Sequence, residues 1–403
     1  MQDAISEAPI DDYDLFSQDY VRDPAEYWQR FRDECHVAQS SLYGGSFMPV
    51  RYDEVVATAR DIETFTSSKG VSIVQSTPTT DMIQGGSPPI EADPPKHTWT
   101  RRLLLPAMAP QSVMEHEPYT RDLCRRLIAN FIDKGRTDAA TDYAQQMPVR
   151  VIGAMLGIDE GRSDQLVTWV RAILEFANDA EGRANAVREL RCFFEEEIAK
   201  RRANPHEDLL TKLLAAGEHD ERVTEDMVIG QAILLLVAGV DTTWSAISSA
   251  MYHLATHPDD RRRLAQDPDL LPTAIEEFLR FYSPLQIGRI ATDDTTLGGC
   301  PIPKDSRVVL NFGAANRDPD AFEHADTFII DRARNRHIAF GVGIHRCAGS
   351  NLARMELTVA LEEWMAAIPE FELSDKDAVV WSTGTVRGPR SVPVAFPVQR
   401  GVT

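Results

Sequence analysis

Cysteine is the scarcest residue of the chain, and the five present, Cys35, Cys124, Cys192, Cys300 and Cys347, are scattered with no CxxC pair. An odd, unclustered set supplies neither a disulfide framework nor a zinc cluster, and it fits a reducing compartment. Positive charge is short as well: 42 Lys and Arg stand against 62 Asp and Glu, a formal charge of -20. That balance argues against nucleic acid and anionic lipid as partners, since both need a positive surface. The opening MQDAISEAPIDDYDLFS has neither a basic n-region nor an apolar h-region, so the expected protein is cytoplasmic with no membrane anchor. Repeats, low-complexity tracts and Gly/Ser linkers are all missing, so one domain spanning 1–403 is expected. No GxGxxG follows a strand-like run, which leaves the chain without a flavin or nicotinamide domain of its own.

What remains is a globular composition, 43% hydrophobic and 26% charged, enough for a sizeable core. Apolar spacing of period 3.6 dominates from about 111 to 282, in RDLCRRLIANFI, ILEFANDAEGRANAVRELRCFFEEEIAKRRA and DLLTKLLAA. Strand-like runs are fewer: RVVLNF at 307–312, AVVWS at 378–382 and the alternating SVPVAFPV at 391–398. The segment GGSPPIEADPP at 85–95 reads as a long loop. The fold class is therefore mainly α with a minor β region.

One helix stands out. TEDMVIGQAILLLVAGVDTTWSAISSAMYHLATHP starts at Thr224, a good N-cap with acids behind it, and stays helix-compatible to Pro258. Its apolar run stops at Asp241, short of the ~20 residues a bilayer demands, so a buried core helix is expected. Asp241, Thr242 and Thr243 then interrupt a buried helix, and Gly239 costs it roughly 1 kcal/mol relative to alanine. Such penalties mark either a site or an acid paired with a base and hydroxyls bonded back to the preceding turn.

The second element is FGVGIHRCAG, where Phe340, Gly343, Cys347 and Gly349 fit F-x-x-G-x-x-x-C-x-G, with a helical SNLARMELTVALEEWMAAI directly behind. A sulfur just ahead of a helix N-terminus is favoured as a thiolate by the dipole and the free N–H groups, and a thiolate is a strong metal ligand. A buried structural thiol is the alternative, and four matched positions argue against it. The third element, AIEEFLRFYSP, sets Glu277 and Arg280 three residues apart on one helical face.

In this order the three motifs resemble those of the cytochromes P-450, the heme-thiolate monooxygenases, and the likeness to the soluble bacterial members runs from YDEVVATARDIETFTS to VRGPRSVPVAF. The resemblance implies that fold, a long central helix over heme b, and O2 as co-substrate. It implies Cys347 as the iron ligand, with Phe340, His345 and Gly349 around it and Ala238 and Gly239 leaving room for O2 against the helix. His97, Arg101, Arg289 and His345 would hold the heme propionates, which need cationic or hydrogen-bonding partners when buried. Asp241 and Thr242 match the catalytic acid and alcohol that deliver protons on the distal side, and Glu277, Arg280 and Arg332 match a triad that supports the cysteine loop. Electrons would come from a ferredoxin or flavodoxin with its NAD(P)H-dependent reductase, docking on a patch of Arg101, Arg102, Arg346 and Arg354. By family position the substrate pocket would draw on 83–90, 172–178, Leu235, Val240, Leu285 to Ile287, Thr385 and Val386, an apolar set suited to a small apolar or aromatic molecule.

The expected reaction is hydroxylation or oxidative dealkylation. Two rivals keep the cofactor: a peroxide-driven heme-thiolate enzyme, and a non-catalytic heme-bound sensor or carrier. The Asp241 and Thr242 pair argues against both, because neither needs protons delivered. A zinc protein built on Cys347 and His345 lacks further ligands.

Overall fold

The computed structural model describes residues 13–34, 36–75, 86–175 and 179–398. Eight helices position the site: α1 (Lys96–Leu104), α2 (Glu117–Ala129), α3 (Gln146–Met155), α4 (Ser163–Leu174), α5 (Ala180–Ala203), α6 (Glu225–Thr256), α7 (Leu271–Phe281) and α8 (Ser350–Ala367). Apart from a short hairpin of Thr295–Leu297 with Cys300–Ile302, the strands are β1 (Val37–Ser40), β2 (Ser46–Pro49), β3 (Phe65–Thr66), β4 (Arg136–Asp138), β5 (Gln286–Ala291), β6 (Arg307–Asn311), β7 (Glu372–Leu373), β8 (Val380–Trp381), β9 (Pro389–Ser391) and β10 (Pro393–Ala395).

Helix α6 forms the axis of the molecule. Its N-cap is Thr224, whose hydroxyl accepts from the Met227 N–H at 3.3 Å, with Glu225 and Asp226 in the first turn facing the positive end of the dipole. Pro258, which cannot continue the ladder, opens the next helix. Length and composition alone would let α6 cross a membrane, but 67% of its most apolar stretch is buried inside the fold. Helices α3, α4, α5 and α8 pack on it, and α2 packs on α8. The core between them includes Trp244, Ile247, Leu254, Leu357, Leu361 and Trp364, all nearly inaccessible.

The β region is larger than the three strand-like runs foretold. A five-stranded sheet runs β1-β2-β6-β5-β3, with β2 and β6 parallel and every other pair antiparallel. Four of those strands escaped the sequence reading because they are short or, in β5, buried at every position, so no alternation shows. The 307–312 run is β6, ending at Asn311, whose side chain caps the following turn by accepting from Ala314 N–H. The 378–382 run contributes only β8, and 391–398 splits between β9 and β10, the latter lying between β4 and β7.

Candidate active site

A cavity lies between the middle of α6 and the loop that precedes α8, with about 350 Å³ open to the centre of a water molecule. Its walls are mostly apolar. The α6 residues that line it include Leu235, Ala238, Gly239, Thr242 and Ala246, spaced mainly three and four apart so that one face of the helix meets the cavity, with Ile233, Leu234, Val237 and Thr243 at its margins. Val240 is not among them. It is 1% exposed and turned into the core, because two residues along a helix from Ala238 rotates a side chain by about 200°. Val240 is therefore removed from the expected pocket. Leu235, Leu285, Ile287, Thr385 and Val386 line the cavity, as do Ile90, Ile173 and Leu174, while 83–85 and 176–178 fall outside the described residues.

The cysteine loop forms the floor. Gly341 and Gly343 take left-handed φ angles of 67° and 74°, a conformation that disfavours any side chain, and a Cβ on Gly343 would come within 3.0 Å of the Ala59 carbonyl. These turns bring the Cys347 N–H onto the Phe340 carbonyl at 2.8 Å and aim the sulfur into the cavity, which Phe340, His345, Cys347 and Gly349 all line. Cys347 has accessible area, but that area opens on the cavity and protein surrounds the sulfur elsewhere. Burial consequently pushes the thiol up, against the opposing pull of the Gly349 N–H and of Arg101, Arg346 and Arg354. The helix end is not enough to hold a free thiolate here; a coordinated metal ion would deprotonate the sulfur outright.

Basic side chains gather beside the floor with no carboxylate bonded to them. His97 is 3% exposed, its ring nitrogens have no well-formed hydrogen bond and only the Ile344 backbone near them, and its ring meets that of His345 edge-on at 4.5 Å. Burial with Arg289, His97 and Arg101 close by lowers His345 to about 3, and burial lowers Arg289 to about 10. Arg289 donates only to its neighbour's carbonyl, Gly288 O, at 2.8 Å. A chain of charge -20 that sets two arginines, Arg101 and Arg289, and two imidazole donors at one cavity with no carboxylate bonded to them fits a bound dianion, and together with an inward-facing sulfur the donor set fits an iron porphyrin with two carboxylates.

On the opposite wall, Thr242 Oγ1 donates to the Ala238 carbonyl at 2.7 Å, the back-bond to the preceding turn. Asp241 is fully buried and faces away from the cavity toward Arg390 of β9, whose Nη2 donates to Oδ1 at 2.6 Å. Arg390 also donates to Ser245 Oγ at 2.9 Å, pairs with Glu175 and lies 4.0 Å over the Trp244 ring. Burial raises Asp241 to about 6 despite Arg390, and its Oδ2 has no partner. Gly239 has a packing reason beyond the room it leaves: a Cβ there would come within 2.7 Å of the Ile152 side chain.

Glu277, Arg280 and Arg332 do come together. Arg280 donates Nε and Nη2 to the two carboxylate oxygens at 2.8 Å each, and Arg332 Nε reaches Oε2 at 3.0 Å. Arg280 also donates to the carbonyls of Asn316, Ala325 and Thr327. The adjacent Glu276 takes Arg354 bidentately, at 2.6 and 2.8 Å, along with His337, and these partners outweigh its burial and hold its carboxyl down at about 2. Arg354 is thus engaged by α7 and lies 4.5 Å over the Phe340 ring. That removes it from the proposed surface patch, of which Arg102 and Arg346 are exposed and Arg101 partly so.

Two further residues escaped the sequence reading. Glu356 of α8 lines the cavity at 1% exposure with Oε1 unpartnered, and burial raises it to about 8 although the Thr243 hydroxyl bonds it. Arg390 is the other. Only their position in a register of glutamates and arginines was visible, and nothing local distinguished them from surface charges.

The cytochrome P-450 family model matches residues 175–379. The chain is 34% identical to the mycinamicin IV hydroxylase/epoxidase of Micromonospora griseorubida over 87% of this chain and 89% of that one. It is 32% identical to the vitamin D(3) 25-hydroxylase of Pseudonocardia autotrophica over 98% of both. Among solved structures, a Bacillus megaterium cytochrome P-450 in complex with testosterone superposes with a TM-score of 0.87 at 28% identity, covering 95% of this chain and 100% of that one. Another, crystallised with acyl carrier protein carrying hexadec-9Z-enoic acid, gives 0.86 at 27% identity over 94% and 99%. With a sulfur and a cationic cluster facing one apolar cavity across a long central helix, the chain belongs to the cytochrome P-450 family, as a monooxygenase that takes heme b as cofactor and O2 as co-substrate.

Proposed function

We propose that this monooxygenase hydroxylates a small apolar molecule held in the α6 cavity, with Cys347 as the residue that would hold the heme iron through its sulfur. The observation that carries the assignment is the Cys347 sulfur facing into an apolar cavity whose far wall presents Thr242. A thiolate-ligated heme supplies the O2 activation. Arg101, Arg289, His97 and His345 would hold its carboxylates and set its orientation, since they are the basic side chains near the floor and none is bonded to a protein carboxylate: Arg101 donates to the Arg346 carbonyl, Arg289 to the Gly288 carbonyl, and His345 meets the Ser67 hydroxyl. The apolar walls exclude bulk water and position the substrate by shape.

Asp241 and Thr242 manage the proton. An acid near pKa 6 exchanges protons at neutral pH, and Oδ2, unbonded, is the atom free to do so. Thr242 Oγ1 stands one residue away on the cavity face, where a hydroxyl can pass the proton on while its oxygen accepts another. Arg390 keeps the acid partly ionised and fixes its rotamer.

Members of this family in bacteria draw electrons from separate redox proteins. For this chain a ferredoxin or flavodoxin with its NAD(P)H-dependent reductase is proposed, docking in the cytoplasm on the exposed Arg102 and Arg346 beside Leu105, which is 42% exposed. The test of the core assignment is the absorption spectrum of the dithionite-reduced, CO-treated protein beside that of Cys347→Ser. A strongly red-shifted Soret band in the wild type alone is expected. The same band in both proteins overturns the assignment of Cys347.

A further inference from the structure

One corner of the cavity is polar, and neither the cofactor cluster nor the proton pair uses it. Arg183, in the first turn of α5, lines the cavity together with Ser87 and Glu91 of the loop before α1, while Val187, one turn on, continues the apolar wall. Among the described residues the Arg183 side chain makes no hydrogen bond and no ion pair, and its Nε is completely buried without a partner. Burial lowers its pKa, and Glu91 is the one charge that acts back on it. The groups at the floor do not: Arg289 responds to Asp93, and Cys347 to Arg101, Arg346 and Arg354. Arg183 and Glu91 therefore form a separate polar subsite, coupled through space but not bonded to each other.

An arginine with five donors and no acceptor in a cavity wall asks for an oxygen. A carboxylate would satisfy it, but Glu91 shares the corner and opposes an anion, as does the field of a chain of charge -20. The arrangement instead suits a neutral group that accepts from a guanidinium and donates to a carboxylate or serine oxygen. We infer that Arg183, Glu91 and Ser87 form a subsite for a hydroxyl group on the substrate, so that the enzyme takes a neutral, mainly apolar alcohol or phenol and oxidises it at a carbon away from that hydroxyl. This rests on the cavity being the substrate chamber of the monooxygenase and specifies its substrate class. The subsite acts by positioning: it fixes which end of an apolar molecule turns away from the heme.

The test uses the holoprotein and three probes of one skeleton, 1-decanol, decanoate and decane, titrated by calorimetry and by the shift of the Soret band. Decanol is expected to bind tightest. Arg183→Met should weaken decanol about tenfold, the size of one charged hydrogen bond, and leave decane unchanged; Glu91→Gln should weaken decanol while improving decanoate. If decanoate binds better than decanol to the wild type and Arg183→Met abolishes that preference, the site is an anion site and the inference falls. It falls equally if Arg183→Met leaves the ratio of decanol to decane affinity unaltered. Failure of the monooxygenase reading would look different: all three proteins would lack the red-shifted CO band before any probe was added.

Discussion

Replacing Arg390 with methionine separates the electrostatic role of this residue from its packing. The change keeps a long side chain over Trp244 but leaves Asp241, which is fully buried, without its bonded cation and with only the unbonded Arg171 acting on it, whereas Glu175 retains Arg171 at 2.8 Å. In the wild type the folded Asp241 titrates at about 6 against an ordinary 3.8. A raised carboxyl favours folding in its neutral form, so its contribution is complete below pH 3.8, is lost as pH rises through 6, and stays constant above. The loss amounts to about 3 kcal/mol. Without Arg390 the folded value climbs further, and the loss continues above pH 6 at about 1.4 kcal/mol per pH unit until it meets the ~3–5 kcal/mol ceiling for stranding one member of a buried pair. Urea unfolding followed by tryptophan fluorescence, run at about pH 5.5, 7 and 8 on both holoproteins, reads this directly. The gap between the two proteins should be small at the acid end and widen by roughly 2–3 kcal/mol at pH 8. A gap that does not change with pH would refute the reasoning, because packing over Trp244 is indifferent to protons.

Two other substitutions probe buried carboxyls of opposite character. Glu277→Ala strands Arg280, which is 0% exposed, and should cost about 3–5 kcal/mol in urea unfolding; a loss below about 1 kcal/mol would show that Arg280's three carbonyl acceptors suffice on their own. Glu356→Gln mimics the protonated form of a group that burial raises to about 8, so its stability should exceed that of the wild type by a margin that opens from pH 4.5, reaches a few kcal/mol and levels off above pH 8. Equal pH profiles for the two proteins would mean that Glu356 ionises in the fold without penalty.

Features carried by local patterns were legible in the sequence. The α6 helix announced itself through its cap, its length and its proline stop, the cysteine loop through glycines that only a left-handed turn requires, and Glu277 with Arg280 through helical spacing. The Asp241 environment was not legible, because Arg390 lies 149 residues away and reaches it only after β9 has been laid against α6. Glu356 and Arg183 were silent for the same reason: a glutamate or arginine on a helix is ordinary until the tertiary fold removes its water. Val240 shows the converse failure, where family position stood in for helical phase. The cavity-lining residues of α6 span a broad face that includes Val237 and Thr243, and Val240 falls on the side opposite to its centre.

The basic cluster at the cavity floor also bears on the life of the polypeptide in the cell. Arg101 and Arg289 keep their charge there with no carboxylate bonded to them, while burial and these arginines hold His97 and His345 toward their neutral forms, so the unloaded chain carries unmatched positive charge that an anionic cofactor neutralises. Binding only the folded form, the cofactor adds its own free energy to the fold by mass action. Newly made chains in an iron-starved cell would thus be the least stable of the population and the first taken by proteases, which ties the amount of this enzyme to heme supply without any dedicated regulator.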